Sequence, residues 1–244
     1  MKEKEVFLIF KKYLNLVVAF SEKKDGSMKL STSFEEVKIV GKNRKRFLTS
    51  LGIDLGNLVS AGLVHGDGVK IVTKEKGGGI IPNTDALITN EKGLFLSITV
   101  ADCLPIFIFD PQKEVVALIH GGWRSLEKGI VEKTIEKMKN IFNSLPADIL
   151  VGIGPGISSC HYEVGPEVAK VFHHYSGAIE KKREKIFLDL KRVAFLKLLK
   201  EKIKKENIEI NRFCTYCEEE KFFSYRRDKS QPIKTMMAVI GQRL

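Results

Sequence analysis

The stretch that decides the fold is residues 94–126. It reads Leu94-Phe95-Leu96-Ser97-Ile98-Thr99-Val100-Ala101, Asp102-Cys103-Leu104-Pro105, Ile106-Phe107-Ile108-Phe109, Asp110-Pro111-Gln112-Lys113-Glu114, Val115-Val116-Ala117-Leu118-Ile119-His120, Gly121-Gly122-Trp123-Arg124-Ser125-Leu126. Runs of Val, Ile, Leu and Phe bounded by Asp, Pro and Gly predict strands over 94–101, 106–109 and 115–120. Asp110-Pro111-Gln112-Lys113 supplies a turn, so the last two strands form one hairpin-like unit. Cys103 and His120 flank that unit and can lie close together. After Trp123, the residues Val131, Ile135, Met138 and Phe142 fall on one face of a helix.

Working outward, residues 6–10, 14–20, 69–73, 86–89 and 149–153 read as further strands, and 221–225 and 236–240 as late ones. Helices are expected over 42–51, over 166–173 with Pro166 in the first turn, and over 190–205. The last carries a stripe of Leu196, Leu199 and Ile203. No internal repeat, low-complexity tract or Pro/Ser-rich linker divides the chain. The expectation is one domain over residues 1–244, of α/β or α+β class with a mixed sheet.

With 244 residues the chain can bury a sizeable core. Its 43% hydrophobic and 29% charged residues describe an ordinary soluble globular protein. No apolar run approaches the ~20 residues that cross a bilayer, and the opening MKEKEVFLIFKKYLNL lacks a signal-peptide core. A cytoplasmic protein with no membrane partner is expected. The four cysteines (Cys103, Cys160, Cys214, Cys217) then serve metal binding, chemistry or packing rather than a disulfide scaffold. The formal charge of +11 could attract nucleic acid or phosphorylated small molecules. The lysines crowd segments such as 180–185 and 197–205, where glutamates interleave as on solvated helix faces. No nucleic-acid motif accompanies them, so a nucleic-acid partner is not expected.

His65, in Val64-His65-Gly66-Asp67-Gly68, joins Cys103 and His120 as a residue at a strand end beside Gly or Asp. Two imidazoles and a thiolate make a three-ligand zinc set whose fourth position stays open, the arrangement of a catalytic site. A buried Cys acting as a small apolar filler, or a His that is merely hydrogen-bonded, would look the same. The long separations are not short-range zinc spacings.

Val64-His65-Gly66, Thr99-Val100-Ala101-Asp102-Cys103-Leu104-Pro105 and His120-Gly121-Gly122-Trp123-Arg124-Ser125-Leu126 closely resemble the signature blocks of the YfiH-like family. This is also known as the laccase-domain or "multicopper polyphenol oxidoreductase" family, and its members are described as purine nucleoside phosphorylases. The resemblance continues through Asn83-Thr84-Asp85-Ala86-Leu87-Ile88-Thr89, Gly154-Pro155-Gly156-Ile157, Tyr162-Glu163-Val164-Gly165, Leu188-Asp189-Leu190, Cys214-Thr215-Tyr216 and Phe222-Phe223-Ser224-Tyr225-Arg226-Arg227-Asp228. It covers nearly the whole chain from about residue 20. It implies an α-β-β-α fold with mixed sheets, similar to toxin deamidases that use a Cys–His pair. It implies a metal held by His65, Cys103 and His120. The implied activities are phosphorolysis of purine nucleosides, including methylthioadenosine, and adenosine deamination; the implied small-molecule partners are a nucleoside and phosphate. The chain departs from the family pattern at Leu63, Gly121, Ser125 and Met236, where the family often has Gln, Ala, Gly and Arg. Lys234 is a candidate stand-in for that Arg. The Asn-Leu-Gly block is missing before Asn43-Arg44.

Zinc lowers the pKa of bound water to about 7, which suits attack at the purine C6. Asp102 and Asp85 are candidate proton shuttles, with Asp102 alternatively orienting a ligand. Glu163 is a candidate partner of the base or ribose. Arg124, in a loop that enters a helix, is the leading phosphate ligand; Arg44, Arg226 and Arg227 follow. Residues 152–156 could form an anion-binding turn. Cys214-Thr215-Tyr216-Cys217 reads as buried packing, because Cys160-His161 makes a poor second pair for a zinc ribbon. Gly77-Gly78-Gly79 reads as a mobile loop. Three other readings remain open: a copper-dependent phenol oxidase at the same ligands, a partner-binding protein with a structural metal, and a metal-free Cys103/His120 hydrolase.

Overall fold

The three strands expected between residues 94 and 120 form, and two different sheets share them. A computed structural model describes residues 7–29 and 34–244. Its strands are β1 (Leu16–Phe20), β2 (Leu58–Ala61), β3 (Val69–Ile71), β4 (Ile80–Ile81), β5 (Ala86–Thr89), β6 (Phe95–Val100), β7 (Leu104–Asp110), β8 (Val115–Gly121), β9 (Leu150–Ile153), β10 (Glu163–Val164), β11 (Ile179–Lys182), β12 (Lys185–Leu188), β13 (Ile208–Ile210) and β14 (Met236–Gln242). Its helices are α1 (Phe34–Ser50), α2 (Trp123–Glu127), α3 (Ile130–Phe142), α4 (Pro166–Phe172), α5 (Leu190–Lys200) and α6 (Tyr225–Asp228).

One mixed sheet has the order β1-β14-β6-β2-β4 and the other β13-β9-β7-β8-β5-β3, while β10-β12-β11 form a small third sheet. The chain crosses from the first sheet to the second at residues 101–103, between β6 and β7. Both strands of the β7–β8 hairpin are buried on both faces, which explains their unbroken apolar runs. Leu104, Ile106 and Ile108 of β7, with Val115, Ala117 and Ile119 of β8, face a core shared with α3 and α5. Phe107, Phe109, Val116 and Leu118 face the opposite way. There they meet Leu96 and Ile98 of β6 and Ala238 and Ile240 of β14, which fills the space between the two sheets. A third cluster packs Phe47 and Leu48 of α1 against Val17, Phe95 and Val239. The layers are therefore helix, sheet, sheet, helix.

Several expectations change. Val6 lies outside the described residues; 7–10 form turns, with Phe7 and Phe10 packed between the sheets. Residues 221–224 form a turn and an irregular segment that lead into α6, which begins at Tyr225, rather than a strand. The helix expected over 190–205 ends at Lys200, and its buried face is Leu190, Lys191, Val193, Ala194, Lys197 and Leu198. Of the expected stripe, Leu196 and Leu199 are half-buried and Ile203 is buried beyond the helix end, while Lys197 takes a core-facing position and its ammonium bonds Glu132 Oε1 at 2.6 Å. The C-x-x-C pair is not buried as a unit: Cys214 is buried, but Cys217 is exposed and lies beside Cys160 and His161.

Candidate metal centre and substrate cavity

His65, Cys103 and His120 converge at one mouth of the space between the sheets. Their ligand atoms lie within 4.8 Å of one another. The two imidazole centroids are 4.7 Å apart, with the rings nearly perpendicular. The hairpin register explains half of this: Pro105 pairs with His120 across β7 and β8, so Cys103, at the start of that unit, comes beside His120. His65 arrives on the loop between β2 and β3, with a left-handed φ of 55°.

Asp85 holds that loop. Its Oδ1 accepts from the His65 amide at 2.9 Å, and its Oδ2 accepts from the Gly66 and Val64 amides at 2.8 and 3.2 Å. The same Oδ1 sits 2.8 Å from His120 Nδ1. The Asp85 carbonyl accepts from the His120 amide, because β5 runs beside β8. One buried carboxylate thus fixes the His120 imidazole and the backbone that carries His65, and leaves His120 Nε2 available to a metal ion. Burial works against its ionisation, but His120 and the amides hold its pKa below the ordinary carboxylate value.

Burial also opposes a Cys103 thiolate, yet His120 and His65 outweigh it and depress the thiol. Burial likewise opposes a charged His120, and Cys103 and Asp85 raise its pKa. A side chain at Gly122 would put a Cβ 3.2 Å from Cys103 Sγ and 3.3 Å from His65 Cδ2. Glycine keeps that corner clear. Two imidazole nitrogens and one thiolate within coordination reach, with room beside them, fit a zinc ion bound by three protein ligands.

The triad forms part of a cavity of ≈690 Å³, a size that suits a small-molecule ligand. Asp102, Trp123, Arg124, Tyr162, Tyr225, Arg226 and Lys29 complete its walls. The Arg124 guanidinium lies 4.4 Å from the Trp123 ring, and that of Arg226 lies 5.2 Å from the Tyr162 ring while donating to the Glu163 carbonyl at 2.7 Å. Asp102 has a left-handed φ of 87°, unusual for a non-glycine residue. Its carboxylate accepts from Thr215 Oγ1 at 2.6 Å, the Arg226 amide at 2.7 Å and Ser224 Oγ at 3.1 Å. Burial, reinforced by the Cys103 charge, keeps the Tyr162 phenol protonated well above its usual range.

Other expected residues lie elsewhere. Asp85 is fully buried and does not line the cavity. The Glu163 carboxylate is exposed, pairs with Lys185 Nζ at 2.8 Å and faces a neighbouring groove. Arg44 is buried between α1 and β2, donating to Ser60 Oγ at 2.8 Å and the Met28 carbonyl at 3.3 Å. Arg227 caps the carbonyls of Thr215, Tyr216 and Phe222. Met236 is a core residue whose sulfur accepts from the Phe223 amide. Lys234 does not line the cavity, whereas Lys29 does. Lys29 sits before a segment with no motif, so nothing in the sequence singled it out. Tyr162 belongs to the Tyr162-Glu163-Val164-Gly165 block, where the carboxylate of Glu163 is the more conspicuous polar group.

The family model described as "Multi-copper polyphenol oxidoreductase laccase" matches residues 18–243. Purine nucleoside phosphorylase YlmD of Geobacillus stearothermophilus is 34% identical over 214 residues, covering 82% of this chain and 78% of that protein. Purine nucleoside phosphorylase YfiH of Escherichia coli is 34% identical over 199 residues, covering 78% and 76%. The crystal structure of the Geobacillus YlmD superposes with a TM-score of 0.88 at 29% identity, over 95% of this chain and 93% of that one. A match over nearly the whole chain, together with relatives of this similarity, makes the chain a member of the multi-copper polyphenol oxidoreductase laccase family.

Proposed function

We propose that this chain is a purine nucleoside phosphorylase that holds zinc at His65, Cys103 and His120 and also deaminates adenosine. The observation that carries the reading is the cavity itself: it sets the triad beside three cationic side chains and three aromatic rings. The names of its relatives, purine nucleoside phosphorylases, support the same substrate class.

In phosphorolysis a phosphate oxygen bonds to ribose C1′ as the C1′–N9 bond breaks, and the electron pair stays on the departing base. Arg124, Arg226 and Lys29 would hold the phosphate. The two guanidiniums, each set against an aromatic ring, suit planar recognition of its oxygens. Trp123 and Tyr162 offer faces and edges for the purine. The neutral Tyr162 phenol is a hydrogen-bond donor for the base nitrogen that gains the electron pair. His65, Cys103 and His120 would hold a metal ion, which would supply Lewis acidity when bound. Asp85 acts as a positioning residue. Asp102 is the carboxylate that lines the cavity. In deamination, where water replaces the C6 amino group, it would take a proton from the attacking water and pass it to the amino nitrogen, which leaves as ammonia.

Five histidines are too few for a blue-copper site plus a trinuclear cluster. Of these, His173 and His174 lie at the end of α4 and His161 belongs to a separate cluster. This favours nucleoside chemistry over phenol oxidation. Inosine or adenosine incubated with the protein, with and without phosphate, tests the reading. Free base and ribose 1-phosphate released only when phosphate is present support it. Phenol oxidation without nucleoside cleavage overturns it.

A further inference from the structure

We propose that the chain binds a second, structural zinc ion through Cys160, His161, Cys214 and Cys217. The four donor atoms lie within 4.8 Å of one another. Cys160 Sγ is 3.6 Å from Cys217 Sγ, and His161 Nδ1 is 3.3 Å from each of those sulfurs. Tetrahedral zinc, with bonds of about 2.3 Å to sulfur and about 2.0 Å to nitrogen, spaces its sulfurs roughly 3.8 Å apart and sulfur from nitrogen roughly 3.5 Å. Those three donors therefore stand at coordination spacing already, and Cys214 Sγ lies within 4.8 Å of each. Three thiolates and one imidazole form a closed set with no open position, in contrast to the triad.

The surroundings of Cys214 suit ionised sulfur. The Ser158 amide donates to Cys214 Sγ at 3.3 Å, and the amides of Cys217 and Tyr216 point at the same sulfur. Such donors stabilise a thiolate ligand. The His161 ring stacks on Tyr216 at 4.0 Å and 11°, which fixes the imidazole plane. Three thiolates and Zn²⁺ carry one net negative charge. The buried Lys191 ammonium lies next to them, donating to the carbonyls of Phe213 and Asn211 at 2.7 and 2.9 Å and to Ser158 Oγ at 3.3 Å.

The two ligand segments are far apart in sequence, which makes Cys160-His161 a poor second pair by spacing alone. They meet because β9 and β13 run parallel, pairing Ile153 with Ile210, and because Gly156 bridges to Cys214. The cluster also borders the cavity wall. Tyr162 follows His161 directly, and Thr215, inside the C-x-x-C turn, bonds Asp102. A zinc ion there would tie the loop after β9 to the segment that carries Tyr225 and Arg226.

Zinc content of protein purified under reducing conditions tests this independently of the catalytic reading. Two zinc ions per chain are expected in the wild type, one in Cys103→Ser and one in Cys160→Ser/Cys217→Ser. Cobalt(II) added to metal-stripped Cys103→Ser should give the sulfur-to-cobalt charge-transfer and strong d–d bands of a tetrahedral thiolate site. The same bands, at unchanged intensity, in a Cys103→Ser chain that also carries Cys160→Ser and Cys217→Ser overturn the proposal. So does a Cys103→Ser chain that takes up neither metal, or a Cys160–Cys217 disulfide found by mass spectrometry in the reduced, zinc-supplied protein. Failure of the triad as a metal site would instead leave the wild type with one zinc, lost only with Cys160 and Cys217.

Discussion

Asp85 shows how much a single residue's role depends on its partners. In the sequence it sits in an Asn-Thr-Asp block and reads as a proton shuttle. In the structure both its oxygens are committed to the His65 loop and to His120. Asp85→Asn should lower zinc affinity at the triad by about 10–100-fold, the usual effect of losing a carboxylate behind a histidine ligand. Competition with a chromophoric chelator measures it, and unchanged affinity contradicts the positioning role. Arg124 and Arg44 make a second contrast. Loss of a charge-assisted hydrogen bond is worth about 1.5–3 kcal/mol, so Arg124→Ala should raise the KM for phosphate roughly tenfold or more. Arg44→Ala should lower the melting temperature and leave that KM unchanged, because Arg44 braces α1 against β2. A phosphate KM that responds to Arg44 and not to Arg124 would reverse the assignment. The grouping of His65, Cys103 and His120 was legible mainly through the signature blocks, helped by the hairpin that sets Cys103 beside His120. The roles of Asp85, Arg44 and Lys29 were not, since each arises from register or packing between distant segments.

At the scale of elements, the β7–β8 hairpin brings Cys103 to His120, and the apolar runs with an Asp-Pro turn announced it. The short strands β10 to β13 escaped notice because they are brief and several face solvent, so neither alternation nor hydrophobicity marks them. The face of α5 was misread because a lysine occupies a core position with its ammonium led out to Glu132. The hairpin's pairing of a thiol with an imidazole has a pH signature in metal-free protein. The folded thiol is depressed to about 6, so its stabilisation, full above the ordinary thiol value, is lost as pH falls through about 6. The folded imidazole is raised to about 9, so its stabilisation, full below the ordinary imidazole value, is lost as pH rises through about 9. Between about 6.5 and about 9 these opposite dependences offset one another, so the melting temperature of chelator-treated protein should change little across that window. Cys103→Ser leaves only the imidazole's dependence, so its melting temperature should fall as pH rises through the window, and an unchanged profile in that variant contradicts the pairing.

For the whole molecule, two mixed sheets packed face to face and covered by helices hold the site at one end of the layer between them. The expected α-β-β-α layering was legible mainly through the signature blocks, since composition and periodicity alone reached no further than a mixed α and β protein. The same layering explains why residues from the β2–β3 loop, the β6–β7 crossing and the end of β8 share one cavity: all three lie where the chain leaves or enters the two sheets. The central claim is that this end of the molecule holds a metal ion bound by three protein ligands, with a corner left for substrate. Anomalous diffraction at the zinc edge, from crystals of protein purified without added metal, tests it most directly. The account predicts a peak bonded to His65, Cys103 and His120, its fourth position open to the cavity. The absence of a peak at the triad, or an ion there enclosed by four protein donors, would contradict it.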